Sequence, residues 1–266
     1  MLRVLLSRRW LGALAAAAVF AVAAFFLGRW QWHRYEAKSA RADRIESHYS
    51  APARPLRSVL GTEPLPLARD WTRVQGTGRY AGESPLLVRN RPWQGIYGYE
   101  VVVPLVLSSG QAVLVDRGWV PNTARASELP EVPPIPPGEV TVTGWARQGE
   151  PSLGRDLPPG QLASVNLAEA QRQVTPQLLG GYLVLQREVL ADGSTPPRPR
   201  ALEKPDTGLG PHQAYAFQWW LAMPVGFVLV FFGVRREARE GGLSGVGVAA
   251  APPKPKKVRI WDEEDA

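Results

Sequence analysis

The chain has 266 residues and a formal net charge of +7, from 31 Lys and Arg against 24 Asp and Glu. With no cysteine it has no disulfide, no thiolate metal site, no c-type haem attachment and no cysteine nucleophile. A mean hydropathy of −0.16 averages a polar middle and tail with two uncharged apolar runs, residues 10–28 and 215–234.

The first run is long enough to span: at about 1.5 Å per helical residue it approaches the roughly 30 Å of a bilayer's hydrocarbon core. Arg3, Arg8 and Arg9 before it also suit a signal peptide. Against that reading, the run exceeds the roughly 7–15 residues of an h-region. It also passes straight into Arg29-Trp30-Gln31-Trp32-His33-Arg34, whose rings and cations suit the membrane interface. Residues 29–48 contain no Pro or Gly and are rich in Ala, Arg and Glu, so the helix is expected to continue for several turns and end before Pro52.

From residue 71 the pattern changes to β-branched and aromatic runs broken by Gly, Pro and Asn. Strands are expected at 71–80, 86–89, 97–107, 111–120, 140–147 and 182–189. Ser108-Ser109-Gly110 makes a hairpin of 97–107 and 111–120. Pro104 has no N–H for a ladder, so its amide must face an edge, a bulge or a strand end. Asn166 with Glu169 three residues on starts a short helix over 167–174. Residues 192–210, rich in Pro and Gly, and the charged tail 241–266 are expected to be poorly ordered and to host no chemistry.

The second run, 215–234, is followed by Arg235, Arg236 and Arg239 and preceded by only Arg200 and Lys204 in the fifteen residues before it. The first run divides its basic residues between its ends, with Arg29, Arg34, Lys38, Arg41 and Arg44 after it, so the second decides: both termini are cytoplasmic. The expected fold class is an α+β membrane protein, in which two transmembrane helices flank an extracytoplasmic, mainly antiparallel β domain, a small barrel or a sandwich. Its parts are residues 1–9, span 10–28, outer domain 29–211, span 212–234 and cytoplasmic tail 235–266. The basic residues gather beside the spans and in the tail, which points to lipid headgroups as partners and not to nucleic acid.

Only three histidines occur, His33, His48 and His212, and no HExxH, GxSxG, Walker or GxGxxG motif. The carboxylates fall in loops, helix surfaces and the tail, without close pairs, so an enzyme is not expected. Unusual residues concentrate at the outer ends of the two spans. On helices His212, Tyr215 and Trp219 share one face, and Gln31, Arg34 and Lys38 another. Two readings stand: interfacial anchors with His212 at a helix start, or a porphyrin between the helix ends, with His212 as axial iron ligand, rings on its faces and Arg34 near its propionates.

The motifs Arg29-Trp30-Gln31-Trp32-His33-Arg34, Trp71-Thr72-Arg73-Val74, Gly78-Arg79-Tyr80, Leu87-Val88-Arg89-Asn90-Arg91-Pro92, Gly98-Tyr99-Glu100-Val101, Val115-Asp116-Arg117-Gly118-Trp119 and His212-Gln213-Ala214-Tyr215 resemble, in that order, those of the Surfeit locus 1 family of cytochrome oxidase assembly factors, from about residue 10 to 236. The resemblance implies a non-enzymatic membrane factor in the plasma membrane of a bacterium. It would assist haem a delivery to the catalytic subunit of a haem-copper oxidase, with that subunit and the haem-synthesis machinery as partners. The family's haem-contacting histidine corresponds to His212, and Tyr215, Trp219, Trp30, Gln31 and Arg34 surround it as candidate cofactor-binding residues. The family's Gly-Trp pair falls at Gly118 and Trp119, whose residue types suit strain relief and core filling. The alternatives are a scaffold that stabilises an oxidase assembly intermediate without binding haem, and, behind it, a sensor, for which the chain offers no cytoplasmic output domain.

Overall fold

A computed structural model describes residues 1–82, 85–125 and 128–243; the expectation for the charged tail lies, beyond residue 243, outside the described residues. The chain divides into two compact units. One takes in Met1–Tyr35 and the chain from Gly210; the other is Glu36–Leu209.

The first unit begins with a single turn, α1 (Leu2–Leu5), and then α2 (Arg8–Tyr49), which runs through Tyr35 into the second unit and ends, as expected, ahead of Pro52. The run expected as one span is two helices in series, α5 (His212–Ala222) and α6 (Val225–Leu243), interrupted at Met223 and Pro224. Proline has no N–H to offer the Trp220 carbonyl, which accepts from Met223 N at 3.3 Å instead, and helical bonding resumes with Val228 N donating to Pro224 O at 2.9 Å. Both helical stretches are long and apolar enough to cross a membrane. They meet along small residues: Ala17 packs on Gly226, and a side chain at Gly28 would run into the Trp220 indole. Trp10 Nε1 donates to Glu237 Oε2 at 2.9 Å, fixing the other end of the pair.

The second unit is one mixed sheet of eight strands. These are β1 (Arg54–Pro55), β2 (Arg73–Tyr80), β3 (Leu86–Trp93), β4 (Ile96–Leu107), β5 (Ala112–Pro121), β6 (Glu139–Arg147), β7 (Gln161–Leu162) and β8 (Leu178–Leu190). The order is β1-β2-β6-β8-β5-β4-β3-β7, and β2 also pairs with β4, so β2, β6, β8, β5 and β4 form a closed circuit of hydrogen bonds. Two short helices, α3 (Leu56–Val59) and α4 (Leu167–Gln171), pack on the sheet.

The β4–β5 hairpin stands where the sequence put it, turned at Gly110. Pro104 resolves as argued: its carbonyl accepts from Ala81 N at 2.8 Å, just past the end of β2, so its ring nitrogen faces a place where no ladder bond is required. β2 starts at Arg73 and not at residue 71, because Trp71 adopts φ 65°. β3 runs past Asn90, which takes φ 57° at an irregularity in the ladder, and turns through Gln94 and Gly95, both with positive φ, directly into β4. Asn166 caps α4, its Oδ1 accepting from Glu169 N at 3.0 Å, and the helix stops at Gln171, short of residue 174.

β5 is buried on both faces. Val113 and Val115 enter one cluster with Val74, Leu105, Val142, Leu183 and Leu185, while Ala112 and Leu114 enter another with Val88, Val102, Trp145 and Tyr182. Such a strand reads as a continuous apolar run and tolerates a parallel neighbour, which β8 is. Residues 192–210, expected to be poorly ordered, are held in place at Arg200. Arg200 exchanges backbone hydrogen bonds with Trp119 at 2.8 and 2.9 Å, and its guanidinium lies 5.1 Å from the Trp93 ring centroid and 5.7 Å from that of Trp119. A backbone bridge and two ring contacts hold this Pro-rich stretch where composition alone gives no partner.

Candidate functional site

At the head of α5 the chain has just come through Pro211, and His212 is the first helical residue. Its Nδ1 lies 2.8 Å from Gln31 Oε1 on α2. An amide oxygen accepts, so in this geometry Nδ1 donates, and Nε2 is the ring nitrogen left for a ligand in the neutral imidazole. A hydrogen bond on the other ring nitrogen orients histidines that ligate metals. Among the described residues, no group of three or more His, Asp or Glu is placed to hold a metal ion. A single oriented imidazole is useful only toward a metal that brings its other donors with it.

α5 is one unbroken helix from His212 to Ala222, so His212, Tyr215 and Trp219 stay at helical offsets of three and seven residues on it. His212 stands on the border of two faces of α5. On one side Ala216, fully buried, and Trp220 pack on α2, where Trp32 makes ring contacts with Phe217 at 6.0 Å and Trp220 at 5.8 Å. On the other side Tyr215 and Trp219, with Gln218 and Ala222, line an apolar groove of about 190 Å³. Trp30 is 53% exposed, and Arg34, one turn along α2, places its guanidinium 5.4 Å from the Trp30 ring centroid. Gln31 and His212 are therefore brought together, Tyr215 and Trp219 form a neighbouring groove, and Trp30 and Arg34 form a pair of their own. Trp32, Phe217 and Trp220 are the interlocking rings, and sequence reasoning did not select them. The signal that singles them out is their offset from Gly28 and Ala216, the small residues that let the helices close.

In the β unit the expectation about carboxylates is corrected: Glu100, Asp116 and Glu188 sit in strands close to other charges, Asp116 and Glu188 buried and Glu100 half-buried. Glu188 on β8 and Arg117 on β5 are both fully buried and pair at 2.7 Å, with Tyr80 Oη donating to Glu188 at 2.7 Å. The guanidinium also donates to the carbonyls of Pro197 at 3.0 Å and Pro134 at 3.4 Å. Nearby, Arg91 pairs with Glu100 at 2.9 Å and with Glu150, while Asp116 accepts from Gly118 N at 3.0 Å. Strand pairing across long sequence gaps makes these contacts, which is why residue spacing did not reveal them.

Burial pushes the Glu100 carboxyl up to about 7, against the opposing pull of Arg91, and drives Asp116 upward in the same direction. A carboxyl whose folded pKa exceeds the unfolded one keeps its proton on folding. Its contribution to stability is thus largest below the ordinary carboxylate range and is lost as pH rises towards about 7. Glu100→Gln is expected to remove roughly 1–3 kcal/mol of the stability change between pH 4.5 and 7, read from urea unfolding of the two proteins at each pH. Parallel curves for the two proteins would show that Glu100 titrates normally.

Gly118 and Trp119 hold the fold together. Gly118 has φ 131°, and a Cβ there would lie 2.2 Å from Arg200 O. Trp119 is 1% exposed, stacks on Trp93 at 5.4 Å and donates from Nε1 to Arg91 O at 2.8 Å.

Compared with known proteins, residues 18–223 match the sequence model of the SURF1 family. An uncharacterized SURF1-like protein of Mycobacterium bovis is 30% identical over 268 residues, covering 96% of this chain and 93% of that protein, and one of Mycobacterium tuberculosis matches equally. A SURF1-like protein of Dictyostelium discoideum is 30% identical over 115 residues, 41% of this chain and 43% of its own.

Proposed function

Since this chain belongs to the SURF1 family, known in general as oxidase assembly factors, we propose that it is a membrane-anchored factor that helps place haem a in the catalytic subunit of a haem-copper cytochrome c oxidase. In this reading the two apolar stretches cross the plasma membrane of a bacterium with both termini cytoplasmic. The β unit is extracytoplasmic, and its closed circuit of strands is a small barrel.

The observation that carries the haem reading is the His212–Gln31 hydrogen bond, which engages Nδ1 and leaves Nε2 for a ligand, one turn before a groove lined by Tyr215 and Trp219. A porphyrin supplies four nitrogen donors to its own iron, so one imidazole completes the axial bond. Gln31 acts by fixing the tautomer and angle of His212. Tyr215 and Trp219 offer ring surface beside it, and the exposed Arg34 guanidinium beside Trp30 offers a cation for a propionate. The groove, at about 190 Å³, falls well below the roughly 300–1,000 Å³ of sites that enclose an organic ligand. The cargo is therefore held on one face only, and its other face stays open to the accepting subunit. One bond and an open face suit a carrier that must let go.

In cells lacking this chain, re-expressing the His212→Ala form is expected to leave the oxidase with severalfold less haem a per catalytic subunit than the wild-type chain does, at equal amounts of membrane-inserted factor. Full restoration by His212→Ala would move the assignment to a scaffold that stabilises the intermediate without touching haem, a role for which the small groove would be sufficient.

A further inference from the structure

The far end of α6 is not used by the haem reading, yet it is a shaped surface. Phe232, Arg235, Arg236, Arg239 and Glu240 line a cavity of about 490 Å³. Phe232, Arg235 and Arg239 follow at three and seven residues, one stripe of the helix. Arg236 is tied to Glu240 at 2.8 Å, whereas Arg235 and Arg239 make no ion pair among the described residues. The cavity thus holds two uncommitted guanidinium groups and a floor of exposed phenylalanine. Above Phe232, which is 57% exposed, the bare face continues through Phe231, Leu229 and Val228, all apolar and exposed.

We infer that this cavity binds the headgroup of an anionic phospholipid, with Arg235 and Arg239 on the phosphate and the acyl chain laid along Phe232 and Val228. Two features select this ligand. Guanidinium forks match phosphate oxygens in pairs, and the net cationic lining rejects a zwitterion's ammonium. The apolar strip leading away from the arginines requires a ligand that is charged at one end and greasy along the other, which excludes a free anion. Basic pockets at the cytoplasmic end of membrane helices meet such lipids. The inference rests on α6 crossing the bilayer with its arginines on the cytoplasmic side. Lipid bound at this site would anchor α6, and through its packing on α2 the helix pair, at a fixed depth.

The test uses the full chain in a neutral detergent, titrated with phosphatidylglycerol or phosphatidylcholine, with bound lipid counted by native mass spectrometry. Phosphatidylglycerol is expected to bind about tenfold more tightly, and the preference should shrink to within twofold in Arg235→Gln/Arg239→Gln. Arg54→Gln/Arg79→Gln, which removes the same charge from the β unit, should keep it, and Arg235→Lys/Arg239→Lys should fall between. Equal binding of both lipids, a preference that survives the paired glutamine variant, or loss of lipid on adding millimolar inorganic phosphate would each overturn the inference. A reporter fused after Arg239 that registers outside the cytoplasm would overturn the membrane topology itself, separately from the lipid result.

Discussion

Glu188→Ala is expected to destabilise the β unit by about 3–5 kcal/mol, because it strands the fully buried Arg117 guanidinium without its counter-charge. The loss has several parts. The ion pair between β5 and β8 goes, and Tyr80 loses the acceptor for its hydroxyl. Burial and the Glu188 carboxylate hold that phenol far above its ordinary pKa, so it stays a donor at any pH the protein meets. The carbonyls of Pro197 and Pro134 remain as partners for Arg117, but neutral acceptors do not offset a charge that has left water. Urea unfolding of the full chain, followed by near-ultraviolet circular dichroism, measures the change. The double variant Arg117→Met/Glu188→Leu should recover most of the loss, since an apolar pair of similar volume carries no desolvation cost. A loss below about 1 kcal/mol in the single variant would mean that water reaches Arg117.

Gly118→Val should have an effect of similar size through geometry alone. The residue sits at φ 131°, which a β-branched side chain reaches only with strain, and the new Cβ would collide with Arg200 O. The Arg200 bridge to Trp119 cannot survive that collision. With it go the cation contacts of Arg200 on Trp93 and Trp119 and the support that Pro197 gives Arg117. The expected result is about 2–4 kcal/mol of lost stability and faster proteolytic cleavage within residues 192–210 than in the wild-type chain. Unchanged proteolysis would show that the segment holds its place without the bridge.

Much of this architecture is legible in the sequence, because it is written in local signals. The two apolar runs are marked by missing charge, α4 by Asn166 and Glu169, and the β4–β5 hairpin by Gly110 between β-branched runs. The geometry of Pro104 follows from a single missing N–H. Contacts made by residues far apart in the chain are not written locally. The parallel pairing of β5 with β8, the Arg117–Glu188 pair and the Arg91 cluster all depend on which strands become neighbours. Residues 192–210 mislead for the same reason: proline and glycine announce an irregular backbone, but contacts from distant residues such as Trp119, Trp93 and Arg117 hold it. In the candidate site, the outer ends of the two apolar runs put His212 and Gln31 at one membrane depth, and the structure joins them.

Haem binding at the helix ends requires His212 Nε2 as the iron ligand. The visible spectrum of the full chain, purified in detergent from cells that make haem a, tests it most directly. Wild-type protein should carry a haem a band that His212→Ala lacks and that Gln31→Leu weakens. Colourless wild-type protein, or a band of equal strength in His212→Ala, would contradict it.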